Sequence, residues 1–255
     1  MNKTELKEFL DEKAAHYEQP VFLEQDPIQI PHRYNLKEDI EISGFLTAII
    51  AWGNRRSILN SAGRMMELMG NAPHDFVLNH KPKDLAIFDG FVHRTFQAED
   101  LKYFLKALQQ IYTQQQGLEH SLGRLFMEHG ELQLALHHFK KEFFAYDPPD
   151  RTLKHLPDPL RGSAAKRINM YLRWMVRSDA RAVDFGLWTQ IPTSALSCPL
   201  DVHSGRVARK LKLLKRKQND AKALQELDKA LRKLDPTDPV KYDFALFGLG
   251  VDEKF

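Results

Sequence analysis

The chain has 255 residues, 43% of them hydrophobic and 28% charged, a mixture that builds a packed core and excludes a disordered or fibrous protein. Its one cysteine, Cys198, excludes an internal disulfide and leaves no cluster for zinc or an iron–sulfur centre. These features predict a cytoplasmic protein without cofactor or metal. No run approaches the roughly 20 apolar residues that span a bilayer, and residues 1–13 lack the apolar core of a signal peptide, so no membrane partner is expected.

Apolar residues recur at helical spacing almost throughout and β-branched alternation is nearly absent, so the expected fold class is all-α. In chain order, helices are expected over Lys3–Tyr17, 39–51, 56–69, 73–78, 98–115, 121–129 and 132–144. Further helices follow over 163–176, 184–187, 201–214, 221–233 and 239–247. The breaks fall at Gly53-Asn54, Gly70-Asn71, Gly117, Gly130, Asp147-Pro148-Pro149-Asp150 and Asp235-Pro236. The length suits one domain over 1–255, or two interleaved lobes. An N-terminal lobe would occupy 1–146, a proline-rich connection 147–162, a basic region 163–217 and C-terminal helices 218–255.

Charge is concentrated rather than spread. Residues 161–217 hold thirteen Lys/Arg against three acids (Asp179, Asp184 and Asp201), while the whole chain is only +3, so the remainder is net negative. A basic segment on an otherwise acidic protein fits a polyanion, and equally a solvated helix face.

Two stretches within this region carry the chemistry. The run Arg161-Gly162-Ser163-Ala164-Ala165-Lys166-Arg167 opens a helix with Ser163 as the expected N-cap, and a helix start presents N–H donors to phosphate. Lys166 falls in its first turn, beside Arg167 and the positive helix end, which disfavour the ammonium and favour a nucleophilic amine; the plainer reading is a surface lysine on an amphipathic helix. The second stretch runs from Pro199 through Leu200, Asp201, Val202, His203, Ser204, Gly205 and Arg206 to Leu211. Here Val207, Leu211 and Leu214 form a core stripe among Arg206, Arg209, Lys210, Lys212 and Lys215, and Asp201 is either an N-cap or the partner of a nearby amine.

Leu200-Asp201-Val202-His203, followed by Arg206-Val207 and Leu211, resembles the signature of the helix-hairpin-helix DNA glycosylase superfamily, which includes endonuclease III and the 8-oxoguanine glycosylases. The resemblance implies a two-lobed helical fold with a cleft between lobes, a catalytic Asp201, and Lys166 as the lysine of the bifunctional members. The 35 residues from Lys166 to Asp201 bring the chain closest to the archaeal 8-oxoguanine glycosylases. The hairpin's usual Gly-x-Gly is reduced to Gly162-Ser163-Ala164, and the iron–sulfur ligands of some relatives are missing. The whole chain also resembles a bacterial family of unknown function, through Ala51-Trp52-Gly53-Asn54-Arg55 and the Pro199–Arg206 stretch.

From this resemblance follow the remaining expectations. The partner is double-stranded DNA with a damaged base, an oxidised purine such as 8-oxoguanine, acted on by a monomer with glycosylase and abasic-site lyase activity; the alternative is a non-catalytic nucleic-acid binder on the same scaffold. Trp52, Asn54 and Arg55 are the expected wedge or base pocket, with a plain helix cap as the other reading. Asp243 and Phe247, four apart on a late helix, are the counterparts of a lesion-binding acid and aromatic, or else a first-turn acid and a core phenylalanine. Arg161, Gly162, Ser163, Arg167, His203, Ser204, Arg206, Arg209 and Lys210 are expected to grip DNA.

Overall fold

A computed structural model describes residues 1–24, 26–178 and 181–255; Asp179, one acid of the basic stretch, lies outside them. The chain is helical for most of its length. Its helices are α1 (Lys3–Tyr17), α2 (Lys37–Ile49), α3 (Arg55–Leu68), α4 (Pro73–Asn79), α5 (Ala98–Gln114) and α6 (Leu118–His129), then α7 (Leu132–Phe143), α8 (Lys166–Val176), α9 (Val202–Lys210), α10 (Ala221–Leu234) and α11 (Tyr242–Val251). Between α4 and α5 lies a short antiparallel hairpin, β1 (Val92–His93) and β2 (Phe96–Gln97), with Val92 opposite Gln97 and His93 opposite Phe96. No helix among the described residues is long and apolar enough to cross a membrane.

Local chemistry sets most of these boundaries. Asn2 and Glu5 form a reciprocal capping box at the start of α1. Asp220 accepts from the Ala223 N–H at 3.0 Å to open α10, and Gly130 closes α6 in the left-handed conformation (φ +67°). Proline punctuates the irregular stretches, opening single 3₁₀ turns at Pro27–Gln29, Pro31–Arg33, Pro159–Arg161 and Pro239–Lys241. The helix expected over 239–247 is therefore a 3₁₀ turn leading into α11.

Two expected helices are corrected. Residues 184–187 form none: Phe185 N–H donates to Trp174 O (2.8 Å) and Trp188 N–H to Met175 O (2.9 Å), so this backbone satisfies carbonyls left open at the end of α8. The helix expected from 163 starts at Lys166, because Ser163 does not cap it. Its Oγ accepts the Ala165 N–H at 3.0 Å in a local turn, and Ala165 itself, left-handed at φ +48°, stands at the N-cap. Nor is α8 a surface amphipathic helix, since every residue from Ile168 to Val176 is buried, Asn169 and Arg173 included.

The chain divides into two compact units. The first comprises Met1–Glu24, Glu131–Gln133 and Asp158–Phe255; the second comprises Gln25–Gly130 and Leu134–Pro157. The N-terminal helix thus folds with the C-terminal residues. In the first unit, Leu10 and Ala14 of α1 join Val207, Leu211, Leu224, Leu227, Leu246 and Leu249 in one apolar cluster. There α1 passes so close to α11 that a Cβ on Gly248 would lie 2.3 Å from the Tyr17 ring. In the second unit the core is aromatic, with Phe45 and Phe143 in contact with each other and each with Phe104 and Phe139, the closest rings 4.8 Å apart between centroids.

Candidate active site

The site is assembled wholly within the first unit, from the starts of α8 and α9. The path into α8 is held by one distant and one local bond: Gly162 turns the chain at φ +91°, its carbonyl accepts the Ala221 N–H (3.0 Å), and Asn169 reaches back to donate to Ala164 O (3.1 Å). Lys166 follows at once as the first residue of α8, with about a third of its side chain exposed.

Asp201 arrives at the same place from a different direction. The segment that delivers it is clamped by α10: Arg232 donates to the carbonyls of Ser194, Ala195 and Leu196, and Asp228 accepts the Cys198 N–H at 2.9 Å. Asp201 then N-caps α9, its Oδ1 accepting from His203 N (2.8 Å) and Ser204 N (2.9 Å), while its own N–H donates to Ser204 Oγ. Its carbonyl accepts from Asn219 Nδ2 at 2.7 Å, an approach that requires Gly205, because a Cβ there would stand 2.7 Å from Asn219 Oδ1.

The outcome is a single carboxylate with divided duties. Oδ1 is committed to the cap, and Oδ2 lies 3.9 Å from Lys166 Nζ. That separation lies within electrostatic reach and beyond hydrogen-bond range, so the amine and the second oxygen stay available to a third group.

In the same unit, Asp243 of α11 is buried and accepts from Arg173 Nη1 at 2.5 Å, with the Cys198 thiol 3.8 Å from its other oxygen. Burial pushes its carboxyl up to about 6; Arg173 and Lys166 pull it down and the Asp201 charge pushes it further up. Asp243 is therefore electrostatically coupled to the lysine–carboxylate pair. Phe247, one turn further along α11, is half-buried with its ring 6.1 Å from that of His203. Arg173 stacks over Phe244 (4.3 Å) and also donates to Asp184 Oδ1 (3.2 Å).

The basic residues divide between surface and structure. Arg161, Gly162, His203, Arg206 and Lys210 are exposed, while Ser163 and Arg167 are half-buried and Ser204 is buried. Burial holds the Arg167 guanidinium down at about 10. Arg206 donates to Gly250 O (2.5 Å) and Lys210 lies over the Phe255 ring (5.3 Å). Arg209 is engaged internally, donating to Arg216 O, Gln218 O and Asn219 Oδ1, and so holds in place the loop that supports Asp201.

Trp52, Asn54 and Arg55 belong to the second unit. Trp52 is half-buried, edge-on to His93 (5.3 Å) and stacked on His155 (6.0 Å). Asn54 is exposed and N-caps α3, its Oδ1 accepting from Ser57 N at 3.3 Å, and Arg55 is the first residue of that helix. The cap therefore belongs to the helix that follows, not to the one before.

Three supports escaped the sequence reading: Gln133, Asn169 and Asn219. Gln133 and Asn219 are uncharged amides with no local link to the group they support, and Asn169, though only three residues after Lys166, looks like any other helix residue until its contacts are known.

Fold and site together define a predominantly helical protein with a lysine–carboxylate pair set among basic side chains. Residues 26–252 match the family described as protein of unknown function (DUF2400), and the chain belongs to that family. No curated protein and no solved structure matches it.

Proposed function

We propose that this protein is a base-excision DNA glycosylase with associated abasic-site lyase activity, acting on an oxidised purine such as 8-oxoguanine and built on a helix-hairpin-helix glycosylase-like fold. The observation that carries the reading is the 3.9 Å approach of Lys166 Nζ to Asp201 Oδ2 across 35 residues of sequence, the lysine opening α8 and the aspartate capping α9. The resemblance of the Asp201 motif to the glycosylase signature supplies the reaction class.

In this reading the exposed cations Arg161, Arg206, Lys210, Lys212 and Lys215 hold duplex phosphates while the damaged base leaves the stack. The Lys166 amine attacks the sugar C1′ as the C1′–N9 bond breaks, and the departing purine takes up the proton that the nitrogen sheds, relayed by Asp201 Oδ2. Asp201 also stabilises the positive charge that grows on the sugar. Ring opening, with O4′ taking up a proton from water, leaves a protonated Schiff base between Lys166 and C1′. Loss of a C2′ proton then expels the 3′-phosphate, and water releases the lysine.

Borohydride trapping with duplexes bearing 8-oxoguanine or an abasic site tests the reading. The wild type should form a covalent adduct, Lys166→Ala should form none, and Asp201→Asn should slow trapping by about a hundredfold or more. A non-catalytic nucleic-acid binder on the same scaffold would give no adduct with any duplex, and Lys166→Ala would weaken its binding by only a few fold.

A further inference from the structure

Lys166 and Asp201 do not hydrogen-bond to each other, so their spacing is set by whatever fixes the two segments behind them. Asp243 and Gln133 each span these segments. Asp243 does so deep in the core, between Arg173 and the Cys198 thiol. Gln133 does so through its amide: Nε2 donates to Asn169 Oδ1 at 3.1 Å and to Ser197 Oγ at 3.0 Å.

Each partner of Gln133 leads directly to one half of the pair. Asn169 is three residues beyond Lys166, and its other amide atom holds Ala164 O, which fixes the left-handed Ala165 from which α8 starts. Ser197 is four residues before Asp201 in the segment clamped by α10, and its hydroxyl also bonds to Asp228. Gln133 comes from Glu131–Gln133, a three-residue piece inserted into the first unit from a distant part of the chain. Its Oε1 is buried and no donor among the described residues reaches it. An orphaned acceptor costs stability, so Gln133 is held in place by what its two N–H groups connect.

We propose that Gln133 is a positioning residue that sets the Lys166–Asp201 spacing by joining the first turn of α8 to the Ser197 segment; this rests on reading the pair as the reacting centre. Losing the bridge displaces the reacting groups by a fraction of an ångström and leaves the phosphate-facing cations where they are. Its signature is a slower chemical step with unchanged affinity.

Single-turnover trapping of Gln133→Met on an 8-oxoguanine duplex reads this, at a temperature where thermal melts show all variants fully folded. The trapping rate should fall about tenfold or more, and duplex affinity should stay within about twofold. A wild-type rate in Gln133→Met or a defect carried entirely by weaker binding would overturn the proposal. Should the wild type trap no duplex at all, the enzyme reading fails on its own. The spacing is then read by acetic anhydride labelling of Lys166, followed by peptide mass spectrometry. A rate changed by about twofold or more in Gln133→Met upholds the bridge, and an unchanged rate removes it.

Discussion

Asp228 shows how strongly one buried group weighs on this site. Burial pushes its carboxyl up to about 6 despite the hydrogen bonds from Ser197 and the Cys198 N–H and the charge of Arg232, against an ordinary value of 3.8. The folded protein therefore binds this proton more tightly than the unfolded chain. The stabilisation is complete below about pH 4 and is lost as pH rises through about 6. Asn at this position keeps an acceptor for Cys198 but cannot titrate. The stability of Asp228→Asn relative to wild type should thus improve by roughly 2–3 kcal/mol between about pH 4 and about pH 8, read by urea unfolding across that range. A pH-independent difference would mean that Asp228 already carries its charge at no cost. Glu18 presents the opposite case. Its buried carboxylate pairs with Arg177, which also reaches Asp184 (3.2 Å) and Asp238 (2.9 Å), and with Arg181 (2.9 Å). Glu18→Gln should lower unfolding stability by about 3 kcal/mol, because it leaves a buried guanidinium short of one counter-charge.

At the scale of elements, the entry into α8 and the crossing of α1 on α11 are the sensitive places. Ala165 holds a left-handed conformation (φ +48°) that a β-carbon disfavours and glycine does not. Ala165→Gly should raise stability by up to about 1 kcal/mol in urea unfolding, a small gain because glycine also loosens the unfolded chain. Gly248→Ala should act the other way: its methyl would meet the Tyr17 ring at 2.3 Å, and the ring is anchored through its hydroxyl to Glu253 (2.7 Å). A loss of roughly 1–3 kcal/mol is expected from this overpacking. The sequence announced α1, α5 and α10 nearly to the residue, because caps and apolar periodicity agree there. It misplaced the start of α8 because a glycine followed by a serine reads as a cap, whereas Ser163 spends its oxygen on the Ala165 N–H two residues on. Residues 184–187 misled for another reason, as their N–H groups are taken by carbonyls of α8 rather than by a turn of their own.

For the whole molecule, the interleaving of the two units has a direct consequence. Met1–Glu24 supplies Leu10 and Ala14 to the apolar cluster of the first unit and Glu18 to the buried Arg177 just after α8. Removing residues 1–18 should therefore expose Asp158–Phe255 to proteolysis although the cut lies 140 residues away in sequence, while the second unit keeps its aromatic core; limited proteolysis with mass spectrometry separates the two. The concentration of cations over 161–217 belongs to this scale too. If duplex DNA is the partner, its affinity should fall by roughly ten-fold or more across a modest rise in salt, as several phosphate contacts require.

The sequence alone determined the helical class, most of the helix ends and the location of the basic region, because periodicity, capping and charge count are local properties that each segment carries with it. It also marked Lys166 and Asp201 as individual candidates by residue type and neighbourhood. Tertiary structure decided that the two stand 3.9 Å apart, that the Asp201 oxygen left over from the α9 cap is the one nearest the amine, and that Asp243 is buried between Arg173 and the Cys198 thiol. Such facts depend on contacts between segments far apart in the chain, fixed by packing and by uncharged bridges such as Gln133 and Asn219, and no window of sequence contains both ends of any of them.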